Sequence, residues 1–552
     1  MKKEITPWQR FVNLLKIDKR DIRQIFYYAI FSGLVALTLP LGIQAIINLI
    51  QGAQVSTSWI ILVILVTLGV AFQGILQLMQ IRILENIQQK IFTRSSFEFA
   101  YRFPKIKWSD LRNHYPPELA NRFFDTLTVQ KGLSKILLDF PSAILQILFG
   151  LILLSLYHPF FIIYGFLLVI LVYLVFNFTA RKALETSLYE SKSKYAVAHW
   201  LQEIARSLTS FKLSGRTSLA MERNNKLTER YLEARESHFR ILLLQFIQMV
   251  GFKVLVTAGL LLIGGLLVLN QEMNIGQFVA AEIIILLVIN SVEKLVTGLE
   301  SFYDVLTSLE KIGQVVDKKL EAQDGIDPFE LYENATLSLE KVSYKKPDGE
   351  SILDEINLEV GPKDRLFIQG TSGSGKTILF KLLSGLIDPT SGTIYINDFS
   401  FKGMKINAYR SQVGQVLPEQ MPFEGTISEN ITFGNKDITP DAVNRVIKEI
   451  GLQEFVRKQP KGIDSPIFPQ GQRIPHSISK RILLARAIVH NPKILLLKDA
   501  LEHFEEKEAQ DLMVYLAHPD RPWLLIASGQ NKNWEKVCNK HLRLNKGSLT
   551  KY

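Results

Sequence analysis

Six long apolar stretches occupy roughly the first 300 residues and constrain the fold more than any other feature of the chain. Each stretch is long enough to cross the hydrocarbon core of a bilayer as a helix. They lie at about Gln24–Ile50, Trp59–Ile83, Leu137–Tyr157, Phe160–Ala180, Leu242–Leu269 and Ile275–Leu295. Several apolar helices of this length in one soluble domain would depart far from the helix lengths of globular proteins. The sequence therefore predicts six membrane spans.

The distribution of basic residues predicts how these spans are oriented. The connections Gln51–Ser58, Tyr157–Pro159 and Asn270–Asn274 contain no Lys or Arg, whereas Arg82–Lys135 and Arg181–Arg240 contain many. Because Lys and Arg are retained on the cytoplasmic side, both termini and both long connections are expected in the cytoplasm. The net charge of +11 agrees with this orientation. In a membrane protein this positive charge need not indicate nucleic acid, and the predicted partner is membrane lipid.

Polar residues inside the spans are candidates for a translocation path, since ionisable and polar groups are costly in lipid. The candidates are Gln73, Gln77, Gln80, Lys253 and Glu282. The three glutamines share one face of the second span. At 1.5 Å per residue, Lys253 lies roughly 24 Å and Glu282 roughly 10 Å from the outer connections, so a direct ion pair between them is not expected. The alternative is that the glutamines join helices and that Lys253 extends to the cytoplasmic interface.

Helical patterns extend beyond the spans into the long connections. Residues Pro117–Gly132 and Leu201–Gly215 mix charge with apolar residues at helical spacing, which predicts cytoplasmic helices able to touch a following domain. Pro40 and Pro141 are expected to kink the first and third spans. No cleavable signal peptide is expected, because Met1–Arg23 is polar and basic.

After the spans the pattern changes to short strands alternating with helices. We predict a transmembrane domain over 1–315, a linker over 316–334 and an α/β domain with a largely parallel sheet over 335–552. The predicted strands are Ala335–Val342, Ile356–Val360, Arg365–Gln369, Gly392–Ile396 and Lys493–Leu497. The single cysteine, Cys538, excludes a disulfide framework and a cysteine-rich metal site.

A phosphate-binding loop follows the strand Arg365–Gln369. Its residues are Gly370, Thr371, Ser372, Gly373, Ser374, Gly375, Lys376 and Thr377, which fit the pattern GxxxxGK[ST] between a strand and a helix. The glycines let backbone N–H groups surround the phosphates at the positive end of the helix. Lys376 is expected to reach the β- and γ-phosphates, and the Thr377 hydroxyl to hold Mg²⁺. The loop predicts binding of a nucleoside triphosphate.

The order of these parts resembles the ATP-binding cassette (ABC) exporters, as a half-transporter of six spans fused to one nucleotide-binding domain. Further motifs that carry the resemblance are Val-Ser-Tyr344, residues 383–394 (LSGLIDPTSGTI), 423–431 (FEGTISENI), 481–488 (RILLARAI) and 492–497 (PKILLL). The spans, with residues 275–281 (IGQFVAA), look most like peptide and protein exporters of the bacteriocin and haemolysin type. The peptidase domain of many bacteriocin exporters is expected to be missing.

The resemblance implies roles for individual residues and also shows departures from the family pattern. Tyr344 would stack on adenine, and its alternative is a core strand tyrosine. The family's strand ends in Asp-Glu, which hold Mg²⁺ and polarise water, whereas this strand ends in Lys498-Asp499. Asp499 is therefore a candidate base with a shorter side chain. The family's signature Leu-Ser-Gly-Gly-Gln aligns with Ile474–Ile478 (IPHSI), in which Pro475 lacks an N–H.

Three further positions depart from the family. The switch histidine aligns with Ser528, the metal-sensing glutamine with Pro418 near Gln415 and Gln420, and a loop aspartate with Glu505. Because one transition-state donor is worth roughly 10²–10³ in rate, these losses together predict weak or absent hydrolysis. The resemblance implies a domain that binds ATP with Mg²⁺, with metal binding weakened by Lys498.

Two functions remain open at this point. The first is a subunit of an exporter in the cell (inner) membrane, with its nucleotide-binding domain in the cytoplasm, that moves a peptide, protein or lipid-like substrate outward. Its partner would be a second half-transporter, either a copy of this chain or a different one, together with a periplasmic adaptor protein. The second is a non-transporting, ATP-sensing membrane scaffold that regulates a secretion complex. The substrate cannot be identified from the residues of the predicted path.

Overall fold

The computed structural model describes residues 5–51, 57–112 and 114–551, and of residues 171, 172 and 174–181 it describes the backbone only. The chain divides into two compact units. The first contains the described residues of 1–104 and 113–318, and the second contains Lys105–Arg112 with the described residues from 319 onward.

Helices form the first unit and its connections. They are α1 (Pro7–Ile17), α2 (Lys19–Ala36), α3 (Thr38–Gln51), α4 (Thr57–Arg102), α5 (Trp108–Leu111, in the second unit), α6 (Pro116–Asn121), α7 (Asp125–Ser155), α8 (Phe160–Arg206), α9 (Leu208–Leu213), α10 (Leu219–Leu269) and α11 (Ile275–Val316). Short 3₁₀ helices lie at Phe103–Lys105 and Arg122–Phe124. The helical patterns predicted for Pro117–Gly132 and Leu201–Gly215 thus fall on α6–α7 and on α8–α9.

Five of the predicted spans are confirmed as helices that can cross a bilayer. Within the described residues, five helical segments are long and apolar enough: Lys19–Gln51, Thr57–Lys105, Pro116–Ser155, Leu219–Leu269 and Ile275–Val316. The predicted span Phe160–Ala180 lies in α8, where Phe160–Ile170 is apolar and much of the remainder lies outside the described side chains. The first unit is therefore a helical transmembrane domain.

The prolines act differently on their two helices. The first span is broken at Leu37, three residues before Pro40, because a proline lacks the N–H that would bond the carbonyl of Ala36. Pro141 lies inside α7, which continues from Asp125 to Ser155. The kink predicted at Pro40 thus coincides with the boundary between α2 and α3, whereas α7 continues through Pro141.

Helix α11 lies at the centre of the first unit. Half of its most apolar window is buried, against 11% to 28% in the other four segments. It packs tightly on α7, since a Cβ added at Gly132 would lie 2.4 Å from Val305 and one added at Gly298 would lie 2.4 Å from Phe140. Small residues allow such close contact between helices in a membrane. Burial between helices, and not the apolar character of α11 alone, therefore sets its central position.

The second unit is an α/β domain, as predicted. Its strands are β1 (Leu337–Lys345), β2 (Ser351–Val360), β3 (Arg365–Gln369), β4 (Ser391–Ile396), β5 (Phe399–Ser400), β6 (Val413–Val416), β7 (Gly425–Thr426), β8 (Pro466–Ile467), β9 (Ile494–Lys498), β10 (Leu524–Ser528), β11 (Lys540–Asn545) and β12 (Ser548–Lys551). Its later helices are α12 (Lys376–Leu383), α13 (Ile406–Ser411), α14 (Ile427–Thr432), α15 (Pro440–Glu449), α16 (Gln453–Arg457), α17 (His476–Ile488), α18 (Glu506–Ala517) and α19 (Trp534–Val537).

A six-stranded sheet forms the core of the second unit. Its order is β12-β11-β3-β10-β9-β6, and all neighbours except β11 and β12 are parallel. Strands β9 and β10 are buried along their whole length, as expected where helices cover both faces of a parallel sheet. The predicted parallel core is confirmed for the strands at 365–369 and 493–497, which the structure places at Arg365–Gln369 and Ile494–Lys498.

A second sheet is antiparallel and was not predicted. Its order is β2-β1-β4-β5. Strands β1 and β2 are joined by a tight turn in which Gly349 adopts a φ of +90° and donates its N–H to the carbonyl of Lys346. Asp-Gly turns between alternating strands favour antiparallel pairing. The predicted strands at 335–342, 356–360 and 392–396 therefore belong to this sheet and not to the parallel one.

A segment of the first long connection also belongs to the second unit. Residues Lys105–Arg112, including α5, pack with the region that follows α11. Ile106 forms an antiparallel bridge with Leu320, and the N–H of Lys107 donates to the carbonyl of Lys319 at 2.9 Å. This contact joins distant parts of the chain and was not predicted, and the role predicted for Pro117–Gly132 stays a prediction.

Candidate functional site

The phosphate-binding loop connects β3 to α12 at the centre of the six-stranded sheet. Gly375 occupies the N-cap position of α12 with a φ of +103°, which favours glycine. A Cβ at this position would lie 3.0 Å from the carbonyl oxygen of Ile352 and 2.8 Å from the side chain of Leu353. The absence of a side chain therefore lets the loop pack closely on β2 while the N-terminus of α12 stays open for an anion.

Lys376 folds back over the loop that precedes it. Its Nζ donates to the carbonyl oxygens of Gly370 at 2.5 Å and of Thr371 at 2.8 Å. Burial, and next the nearby charge of Lys498, lower the pKa of Lys376. An ammonium held at the mouth of the loop in this way can exchange these carbonyls for phosphate oxygens.

A cavity of 640 Å³ lies over the loop. Its lining is Lys346, Glu350, Ile352, Gln369, Gly370, Ser372–Ile378, Lys498, Asp499, Glu502, Gly529 and Gln530. Because the carboxyl ends of parallel strands meet at one edge of a sheet, the residues that follow β3, β9 and β10 come together here. The structure thus places the predicted candidate Asp499 beside nearly all of the predicted loop.

Three charged residues at the end of β9 shape the electrostatics of the cavity. Lys498 forms an ion pair with the Asp499 carboxylate through Nζ and Oδ2, and the Lys498 side chain is 8% exposed. Asp499 adopts a φ of +51°, and its N–H donates to the carbonyl of Ser528 at 2.8 Å. Burial, and next the neighbouring Asp499 carboxylate, raise the pKa of Glu502. Glu502 belongs to no motif that the sequence singles out, although its place four residues after the strand end suggests a position in the cavity.

Tyr344 does not line this cavity, and its proposed stacking on adenine is corrected by the structure. The side chain is 5% exposed in the core formed by β1, β2 and β4. Its hydroxyl accepts a hydrogen bond from Nη2 of Arg112. The residue of this region that reaches the cavity is Lys346, just after β1. Tyr344 lies within β1 and packs in the core, whereas Lys346 lies beyond the last residue of the strand.

The other positions aligned with family motifs lie outside the lining of this cavity. Ser528 ends β10 beside Lys498, and its hydroxyl has no hydrogen-bond partner among the described residues. Gln420 accepts from the N–H of Leu417 at 3.1 Å through its own side chain. The segment aligned with the signature ends at the start of α17, where Pro475 is the N-cap residue and makes no side-chain cap.

Among the described residues there is no group of three or more His, Cys, Asp or Glu side chains that could hold a metal ion. Thr377, the predicted Mg²⁺ ligand, lines the cavity at the start of α12. The carboxylates that accompany it in the lining are Glu350, Asp499 and Glu502. Thr377 thus lines the cavity, whereas the Asp499 carboxylate beside it is already paired with Lys498.

The candidate path residues in the first unit divide into two groups. Gln80 is buried, and its side-chain Nε2 donates to the carbonyl of Ile25 at 3.2 Å, which agrees with a role in joining helices. Lys253 pairs with Glu293 of α11 at 2.5 Å, a partner that the sequence analysis did not identify. Gln77 is exposed, whereas Gln73 and Glu282 are half-buried. Their role in a path remains a prediction.

Together, the fold and the cavity define a multi-pass membrane domain fused in one chain to a nucleotide-binding domain with a phosphate-binding loop. Two family models agree with this class: the ABC transporter transmembrane region matches residues 24–292, and the ABC transporter model matches residues 353–502. The chain belongs to the ABC transporter family, as a half-transporter that carries both parts.

Similar proteins support the same assignment. A putative export ATP-binding/permease protein of Rickettsia bellii is 28% identical over 338 residues, which are 60% of this chain and 58% of that protein. The leukotoxin translocation ATP-binding protein LktB of Mannheimia haemolytica is 26% identical over 56% of this chain and 44% of its own length. The matches thus span 58% and 44% of these relatives.

The fold is similar to a solved structure along almost its entire length. A bacterial Atm1-family ABC exporter with ATP bound gives a TM-score of 0.85 at 16% identity, over 97% of this chain and 94% of that one. At this identity the likeness concerns the fold alone. The family models and the apolar helices, in turn, make the chain a multi-pass membrane protein whose nucleotide-binding domain lies in the cytoplasm.

Proposed function

We propose that this chain is the ATP-binding half of a dimeric membrane exporter that binds ATP through the loop at 370–377 and hydrolyses it slowly or not at all. The observation that carries the proposal is the ion pair between Lys498 and Asp499 at the edge of an intact phosphate-binding cavity. A general base must hold its water within hydrogen-bond distance. Asp499 instead accepts from an ammonium, so its carboxylate is a poor base.

The remaining catalytic positions support the same conclusion. Ser528 offers a hydroxyl where an imidazole would act, and Pro475 at the start of α17 has no N–H to donate. Losses of groups that act together are not additive, yet each removes a contact made in the transition state. Slow hydrolysis makes ATP-driven closure of a dimer a slow switch, because nucleotide acts through its difference in affinity for two states.

We propose outward movement of a peptide, protein or lipid-like substrate, with a second half-transporter as partner and a periplasmic adaptor as a further one. The name of one relative, an export permease, supports outward movement, and that of another, a leukotoxin translocation protein, supports a protein substrate. The helical transmembrane domain supports lipid as the surrounding partner. Gln73, Gln77, Lys253 and Glu282 are the proposed path residues, with Gln80 assigned to helix packing.

A second candidate is a non-transporting, ATP-sensing scaffold of a secretion complex. The observation that favours it is again the engaged carboxylate of Asp499, because a chain that only senses ATP does not need a base. Reconstituted vesicles separate the two candidates. Export that responds to ATP supports the transporter, whereas bound ATP without any movement of substrate supports the scaffold.

The nucleotide-binding part of the proposal is tested by two substitutions. Lys376→Ala is expected to reduce ATP affinity by roughly a hundredfold or more, because it removes a charge-assisted contact to phosphate. Asp499→Asn is expected to change the rate of phosphate release by less than about twofold, since that rate is already low. Binding is measured by calorimetry and turnover by phosphate release, both on the full chain in nanodiscs. A substantial rate that Asp499→Asn abolishes would refute slow hydrolysis.

A further inference from the structure

The side chains of the cavity do not fit a bound Mg²⁺. This ion requires an octahedron of oxygen ligands and is usually held by one or two carboxylates with substrate phosphates. The Thr377 hydroxyl is available in the lining, but the carboxylates there are already engaged: Asp499 with Lys498, Glu350 with Lys346 and Glu502 with Asp499. The ammonium of Lys498 itself lines the cavity, and a cation there repels a divalent ion.

The fold fixes Lys498 on the side of the sheet that faces the phosphate-binding loop. Ile494 and Leu496 of β9 pack in the same core as Leu379 and Phe380 of α12. Because side chains alternate along a strand, Lys498 points to this same face, two residues beyond Leu496. Its side chain is 8% exposed, so it is a built part of the site and not a surface charge.

The charge of Lys498 acts on the other groups of the cavity. It lowers the pKa of Lys376, second in effect to burial, so the two ammonium groups share one electrostatic environment. An ammonium has three N–H donors, and the Asp499 carboxylate accepts a hydrogen bond from one of them. The remaining donors can bond phosphate oxygens, and two lysines can supply the positive charge that a metal-bound nucleotide otherwise carries with it.

We propose that Lys498 takes the electrostatic place of Mg²⁺, so that this cavity binds a nucleoside triphosphate free of divalent metal, between the ammonium groups of Lys376 and Lys498. The inference rests on the proposed nucleotide binding and specifies the form of the ligand. No bond is made or broken in this step. A metal-free nucleotide held by two lysines also agrees with slow hydrolysis, since no cation is positioned to activate water.

Calorimetric titration of the full chain in nanodiscs with ATP, in EDTA and in excess Mg²⁺, tests the proposal. The wild type is expected to bind ATP with dissociation constants within about threefold of each other in the two buffers. Lys498→Met is expected to weaken binding in EDTA by at least about tenfold, because it removes charge-assisted hydrogen bonds to phosphate. Lys498→Asp is expected to bind weakly in EDTA and to regain affinity when Mg²⁺ is added.

Lys493→Met is the matched control, since it removes one lysine just before β9, at the end of the strand opposite Lys498, where Nζ bonds the carbonyl of Tyr332. It should bind as the wild type does. Binding by the wild type that requires Mg²⁺ would overturn the inference and leave nucleotide binding intact, whereas no binding in either buffer would overturn the proposed function as well. If Lys498→Met does not fold, as judged by circular dichroism, the wild-type comparison still decides.

Discussion

Glu502 is a titratable residue of the proposed nucleotide site, and its ionisation changes the charge of that site. It lines the cavity with Lys376, Lys498 and Asp499. Burial and the adjacent Asp499 carboxylate raise its pKa, and Lys498 opposes this shift. The neutral form therefore persists to higher pH than in an unfolded chain. In the folded protein this raised pKa costs stability as the pH rises through it, since the unfolded chain releases the proton earlier.

Substitution Glu502→Gln is predicted to tighten ATP binding roughly three- to tenfold at pH values above the raised pKa of Glu502, because an ionised Glu502 repels phosphate in a partly buried site. Wild-type affinity should fall as the pH rises through the raised pKa, whereas the variant should lose this dependence. At low pH the two should converge, since Glu502 is then neutral. Titration calorimetry with ATP across a pH series measures both effects.

Glu350→Gln provides the comparison for this prediction. Glu350 also lines the cavity, but it is exposed and paired with Lys346. Solvent screens exposed ion pairs strongly, so the affinity change is expected to stay below about twofold. Equal effects of the two substitutions would show that Glu502 has no special place in the site.

The loop and α12 form the element on which nucleotide binding depends. Two glycines of the loop distinguish the effect of backbone strain from that of steric contact. Gly373 and Gly375 both have positive φ, of +80° and +103°. A Cβ at Gly373 would meet no described atom within 4 Å, whereas one at Gly375 would press on the Ile352 carbonyl of β2. The two positions therefore share backbone conformation and differ in packing.

We predict that Gly375→Ala lowers the midpoint of thermal unfolding by roughly 5 °C or more, since strain and a backbone collision add. Gly373→Ala should lower the midpoint by only about 2–4 °C, because it introduces backbone strain at positive φ without a collision. Scanning fluorimetry of the full chain without nucleotide makes the comparison. A larger loss at Gly373 would contradict the packing shown between the loop and β2.

Predicted elements agree with observed ones where the pattern is local. The strand at Arg365–Gln369 and the helix beginning at Lys376 lie where the sequence predicts them. Strands β1 and β4 were predicted as strands, but their antiparallel sheet depends on which strands pair. The short apolar runs that identify a strand do not show which strand it pairs with. Hydrophobic periodicity indicates which face of a strand is buried, but it does not identify the neighbouring strand.

At the scale of the whole molecule, each nucleotide site of the proposed dimer has two altered parts, the signature segment and the catalytic base. The resemblance to ABC exporters implies that a site forms between one chain's loop and the signature segment of its partner. Here the signature segment is Ile474–Ile478 and the base is Asp499. In a pair of identical chains, every site would therefore combine an altered signature segment with a poor base. Repair of one part alone is expected to restore little turnover.

The combined substitution Lys498→Asp, Asp499→Glu and Ser528→His is predicted to raise phosphate release by less than about tenfold. Replacing residues 474–478 with Leu-Ser-Gly-Gly-Gln in the same chain should raise it by at least roughly 10²-fold more, since transition-state groups act as a unit. Adding Lys376→Ala to the repaired chain should remove the gain. A wild-type rate equal to that of the repaired chain would disprove the proposed slow site.

The sequence by itself determined the features that depend on consecutive residues: five confirmed apolar spans, the phosphate-binding loop and the departures at Lys498 and Ser528. Only the tertiary structure decided that Tyr344 is a core residue, that Glu502 and Lys346 reach the cavity and that Lys253 pairs with Glu293. Hydrophobic length and loop spacing are local properties of the chain. Burial, register and ion pairing depend on residues far apart in sequence, whose meeting is set by packing.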